Sequence, residues 1–146
     1  MGDLDQLTGN FHRREFACRG DCCCGHSAPI NLTLVHGLQL LRDWVSLRVG
    51  RDVRIIVTSG FRCVTHDREV AQIVGKMVGA DGGRRSQHCF GLAADIVVGG
   101  VDLDLVQSVA EEIGVFRAGG IGRYSGARAD MIHLDVRTEG RARWTG

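Results

Sequence analysis

The sequence predicts an α+β domain, a small and mainly antiparallel sheet with helices packed on one face. Three observations carry this. Leu34, Val35, Leu38, Leu41 and Val45 recur at helical spacing, whereas Met131–Val136 alternates with the period of a half-buried strand. Predicted helices come before and between the strands. The last strand segments follow one another closely, which favours antiparallel pairing.

Taken in order, residues 1–30 show little periodicity and form an irregular, cysteine-rich segment, with Phe11 and Phe16 as anchors onto the core. Asn31 can accept the first N–H groups of a helix running to about Leu47. Asp52–Val57 reads as a short strand, and Thr58-Ser59-Gly60 turns out of it. Thr65 is placed to cap a second helix, in which Val70, Ile73, Val74 and Met77 repeat at helical spacing. Gly79 through Arg85 reads as a flexible basic loop. Ala93–Val98 is the next strand. Asp102 opens a helix with Val106, Val109, Ala110 and Ile113 inward, ended by Gly114. Strands at Gly120–Tyr124 and Met131–Arg137 complete the expectation.

A chain of 146 residues fits one domain, 1–146, able to bury roughly two-thirds of its unfolded surface. A single proline argues against an extended linker, and a formal charge of +1 gives no global reason to expect nucleic acid or an acidic membrane. No apolar run approaches the ~20 residues of a membrane span. The acidic start, Met1-Gly2-Asp3-Leu4-Asp5, lacks an apolar core, so no signal peptide is visible.

Ser86-Gln87-His88-Cys89-Phe90-Gly91-Leu92-Ala93-Ala94-Asp95 concentrates the chemistry. It reads as a turn bearing an imidazole, a glycine permitting close backbone approach, and a strand bearing a carboxylate. His88 and Asp95 are too far apart for one helix face but can meet across a bend. Imidazole and carboxylate both suit zinc, and a catalytic zinc commonly has three protein ligands and an open fourth position. His133 is the best third candidate. In Met131–Val136, Ile132, Leu134 and Val136 share the face suited to the helix layer, while His133 and Asp135 share the other. Any one of these histidines alone is more simply an ordinary surface or strand residue; the set favours a metal.

The pattern Ser86-x-His88-x-x-Gly91-x-Ala93-x-Asp95 followed by His133 resembles the zinc D-alanyl-D-alanine carboxypeptidase and L-alanyl-D-glutamate endopeptidase family. These are bacterial and phage peptidoglycan hydrolases that share a fold with the Hedgehog signalling domain. Ser59-Gly60-Phe61-Arg62 resembles the family's Ser-Gly-Tyr-Arg segment, and Gly119–Tyr124 with His133–Arg137 resembles its small phage-type branch. The resemblance spans about residues 11–144. It implies that His88, Asp95 and His133 are zinc ligands. It also implies that Arg62 faces the substrate carboxylate or the developing oxyanion, a task its fork of donors suits. Alternatively, Arg62 is a structural ion-pair partner. Two carboxylates compete as general base. Asp130 stands three residues before the last histidine, as relatives commonly have it, and Asp135 shares the His133 face. Asp130 is favoured as base and Asp135 as the group orienting the imidazole. Ser86 either binds substrate or fixes the turn, and the turn is favoured.

Six cysteines are unevenly placed, four of them within seven residues. Cys18, Cys22 and Cys24 with Cys63 could close a four-sulfur structural zinc site, a second metal; relatives of the phage-type branch also tend to have cysteines here. The competing readings are buried thiols or one disulfide from Cys63 to the cluster. Cys89 reads as a small apolar filler. His26 could replace one thiol, while His12, His36 and His66 read as ordinary surface or partly buried residues.

The reading is therefore a zinc peptidase acting on peptidoglycan stem peptides, phage or prophage encoded. It would be made in the cytoplasm and would reach the wall by lysis machinery or from a virion. The alternative keeps the fold as a non-catalytic zinc-stabilised binding domain. A nucleic-acid module built on the cysteines, Arg84-Arg85 and the tail Arg137, Arg141, Arg143 with Trp144 is disfavoured by charge, low aromatic content and finger spacing. A solvated basic edge attracted to anionic wall polymers explains the same arginines.

Overall fold

A computed structural model describes residues 4–20, 24–26, 28–73, 86–125 and 130–146. Asn31 caps α1 (Leu32–Val49), its side chain accepting from the N–H groups of Thr33 and Leu34, and Gly50 closes the helix at φ 73°. The predicted stripe Leu34, Val35, Leu38, Leu41 and Val45 is fully buried. Five strands follow: β1 (Ile55–Ser59), β2 (Ala93–Val98), β3 (Gly120–Tyr124), β4 (Met131–Asp135) and β5 (Ala142–Thr145). Their order in the sheet is β1-β2-β4-β3-β5. All pairs are antiparallel except β3 with β5. The expected α+β architecture is observed.

One face of the sheet supplies Ile55, Val57, Ala94, Ile96, Ile121, Ile132 and Leu134 to a core shared with α1 and with Val106, Val109 and Ala110 of α3 (Leu103–Glu112). Phe11 and Phe16, from the irregular N-terminal segment, enter the same core as anticipated. Among the described residues no helix is long and apolar enough to cross a membrane.

Several boundaries differ from expectation. β1 begins three residues later than predicted and includes Thr58 and Ser59, because pairing with β2 extends through a bulge to Ser59 opposite Asp95. Asp52-Val53-Arg54 instead leads from α1, the N–H of Val53 held by Ser46 Oγ at 3.0 Å. Thr65 lies inside α2 (Val64–Ile73) and is exposed. Cys63 takes the capping position, its carbonyl accepting from Asp67 N–H at 2.9 Å and its sulfur from His66 N–H at 3.5 Å. Val74, Met77 and the loop 79–85, with Arg84 and Arg85, fall outside the described residues. Gly114 does not end α3 but opens a short helix, α4 (Gly114–Arg117). β4 stops at Asp135, after which Val136 N–H bonds Leu92 O at 3.0 Å.

β5 was not anticipated at all. The arginines of the tail have acidic partners: Arg143 of β5 meets Glu111 at 2.7 Å, the largely exposed Arg141 meets the same carboxylate at 3.8 Å, and Arg137 meets Asp135 at 2.6 Å.

Candidate metal centre

The face of the sheet turned away from the core carries the predicted triad. Asp95 of β2 and His133 of β4 are direct cross-strand partners, so sheet register alone brings them together. His88 arrives from a 3-10 turn, Gln87–Phe90, that Ser86 caps by accepting His88 N–H at 3.1 Å. Gly91 ends that turn at φ 68°, in the left-handed region. The serine side chain thus caps the turn. Ligand-type atoms of His88, Asp95 and His133 all lie within 4.8 Å of one another, and the three residues are buried.

Each histidine has one nitrogen engaged outward and the other turned to the shared carboxylate. His88 Nδ1 bonds Gly60 O at 2.7 Å; a carbonyl only accepts, so Nδ1 carries the proton. Its Nε2 lies 3.3 Å from Asp95 Oδ2. His133 Nε2 bonds Asp135 Oδ2 at 2.8 Å, and its Nδ1 lies 2.9 Å from Asp95 Oδ1. Outer acceptors that hold one ring nitrogen and leave the other lone pair inward are the usual support of metal-ligating histidines. Two inward nitrogens and a carboxylate form a donor set suited to zinc, so the residues present fit the ion.

The electrostatics of the metal-free site differ between the two rings. Burial pushes the His88 imidazole below its ordinary pKa, outweighing the pull of Asp95, so it is neutral as a ligand must be. Burial also disfavours protonated His133, yet hydrogen bonds to Asp135 and Asp95 hold its pKa above the ordinary value. Burial alone would raise the Asp95 carboxyl; bonds with His133 and His88 instead hold it well below the usual carboxylate range.

Arg62 sits beside the triad, with Nη2 3.2 Å from Asp95 Oδ2. Its Nε donates to Ser59 Oγ at 3.0 Å and its Nη1 to Asp67 at 3.2 Å, fixing the plane of the guanidinium. The two candidate bases have different surroundings. Asp135 is fully buried and accepts from Gly120 N–H, from Arg137 through both backbone and guanidinium, and from His133. Asp130 is exposed immediately before β4, which starts after it.

Three contributors were missed in the sequence. Asp67 and Arg137 act through ion pairs between residues whose spacing is not diagnostic. Trp144 of β5 stands 4.9 Å from the His133 ring, and Arg137 lies over its indole at 5.5 Å. Gly122 makes this approach feasible: it is paired to both His133 and Trp144, and a Cβ there would lie 2.3 Å from the indole. The run Gly119-Gly120-Ile121-Gly122 was the available signal, since alternate glycines in a strand mark a face that something covers closely.

Of the sulfur set, Cys18, Cys24 and Cys63 have sulfur atoms within 4.8 Å of one another, and Cys22 lies outside the described residues. His26 does not join them; its Nδ1 bonds Cys18 O at 2.9 Å. Cys89, expected as a small apolar filler, is half-buried. Residues 9–135 match the profile of a protein family described as Peptidase M15. No curated protein and no solved structure matches the chain.

Proposed function

The chain belongs to the peptidase M15 family, and from that premise we propose that it is a zinc-dependent hydrolase of a peptide bond in peptidoglycan stem peptides. Family membership implies a metallopeptidase, and peptidases of this family are zinc-dependent and act on peptides of that kind. The observation that carries the reading is the convergence of His88 Nε2, His133 Nδ1 and Asp95, each imidazole braced from behind.

His88, Asp95 and His133 would hold the metal. When bound, zinc supplies Lewis acidity at the scissile carbonyl and lowers the pKa of a coordinated water to about 7. The rest falls to the protein. Arg62, steered by Ser59 and Asp67, receives the substrate carboxylate or the negative charge that develops on the carbonyl oxygen. Asp130 is the general base. It takes a proton from the attacking water as the C–O bond forms and returns it to the amine nitrogen as the C–N bond breaks. Asp135 is unsuited to that task, because its lone pairs are already committed to five donor contacts. Its part is to hold His133 in one tautomer. Trp144 packs against the His133 ring, with centroids 4.9 Å apart.

Metal analysis paired with digestion of purified peptidoglycan tests this. Wild type should release new amine ends, whose identity names the bond, whereas His88→Ala should lose one zinc equivalent and all cleavage. Retained zinc with retained cleavage in the variant would reject the site. Zinc bound by wild type without any cleavage would leave a non-catalytic binding domain of the same fold.

A further inference from the structure

We propose that Cys18, Cys24 and Cys63 form a second metal site, separate from the His-Asp-His centre, that holds a thiophilic divalent cation, zinc, in a structural role. Three sulfur atoms, two from the N-terminal segment and one from the start of α2, lie within 4.8 Å of one another. Around a tetrahedral zinc with Zn–S of about 2.3 Å, sulfurs stand roughly 3.8 Å apart, so the thiols need to close by no more than about 1 Å. Soft sulfur donors select zinc over magnesium or calcium.

The surroundings are prepared for this. Cys63 sits at the N-terminus of α2, and its sulfur accepts the His66 N–H at 3.5 Å. Cys24 is followed by Gly25 and His26 at φ 64° and 57°, a left-handed pair that reverses the chain. His26 is the one non-glycine with positive φ among the described residues, and its ring is anchored on Cys18 O, joining the first two cysteines through the turn. A metal here would tie the irregular N-terminal segment to the loop carrying Arg62, the residue next to Cys63. That loop is already bonded to the same segment by Phe61 N–H to Phe16 O at 2.8 Å.

The test is zinc content of the full chain together with the absorption of its cobalt-loaded form. Wild type should carry about two zinc equivalents, and Cys24→Ser and His133→Ala about one each. Cobalt should give a near-ultraviolet thiolate-to-metal band in wild type and in His133→Ala, but not in Cys24→Ser. This separates the sulfur site from the proposed catalytic one, since either can fail alone. One zinc in wild type with no thiolate band in His133→Ala would overturn the proposal. So would a disulfide joining Cys63 to Cys18 or Cys24 in the peptide map of unreduced protein, and both readouts stand even if Cys24→Ser does not fold.

Discussion

The site has two halves built differently. Asp95, His133, Asp135 and Trp144 stand on neighbouring strands, and their mutual positions follow from register. Arg62 and His88 stand on loops and are aimed by individual hydrogen bonds to Gly60, Ser59 and Asp67. A strand-mounted group shares its error with the whole sheet, whereas a loop-mounted group depends on a few contacts. We expect the strand half to govern how well the ion is held, while the loop half divides, His88 helping to hold the ion and Arg62 receiving the substrate.

The largest effect should come from the proposed base. Asp130→Asn is expected to lower kcat by about 10²–10⁴-fold with zinc content unchanged, measured by peptidoglycan digestion at equal metal occupancy. If Asp135→Asn alone abolished turnover at full zinc, the two carboxylates would exchange roles. Within the strand half, Asp135→Asn should weaken zinc binding by about 10–100-fold, read by competition with a chelating dye, because His133 loses its charged outer partner. Within the loop half, Asp67→Asn should leave zinc in place and cost about tenfold in kcat/KM, since Arg62 loses one charge-assisted bond worth about 1.5–3 kcal/mol. Zinc loss in that variant would erase the distinction between halves.

A smaller effect separates the two histidines in the metal-free protein. The pKa of His133 is raised above 6.5 in the fold, so its stabilisation is complete below the unfolded value and fades as pH rises through the raised one. His88 runs the other way: its folded pKa is lowered, so it opposes folding below 6.5 and ceases to matter above. Urea denaturation of metal-free wild type and Asp135→Asn across about pH 5–9 isolates the first contribution, because His88 is common to both. The stability advantage of wild type should shrink as pH rises through the raised His133 pKa. A constant gap would mean that Asp135 does not sustain the charge on His133.

The same division explains what could be read in the sequence. Asn31, the alternation of Met131–Val136 and the strand at Ala93–Val98 are local signals, and each led to an element found at or near its predicted place. The triad was readable because two imidazoles and a carboxylate stand in a distinctive pattern around Gly91 and on the alternating strand Met131–Val136. β5 was not, because Ala142-Arg143-Trp144-Thr145 becomes a strand only by lying parallel to β3, a partner about twenty residues earlier in the chain. The shift of β1 has a similar cause, a bulge set by its pairing with β2. Cys63 was overlooked as a cap because sulfur is not among the usual capping side chains. Asp67 and Arg137 carry no motif, and only their ion pairs reveal them.

Gly60 links these observations. Its carbonyl holds His88, and its Cα is pressed so closely on Phe16 that a methyl group would lie 2.5 Å from the Phe16 backbone. Backbone cannot yield as a flexible side chain can, so even alanine there would lift the whole segment from Gly60 to Cys63. An imidazole, a guanidinium and a thiol would then lose their aim together, through a position that itself contributes no reactive atom.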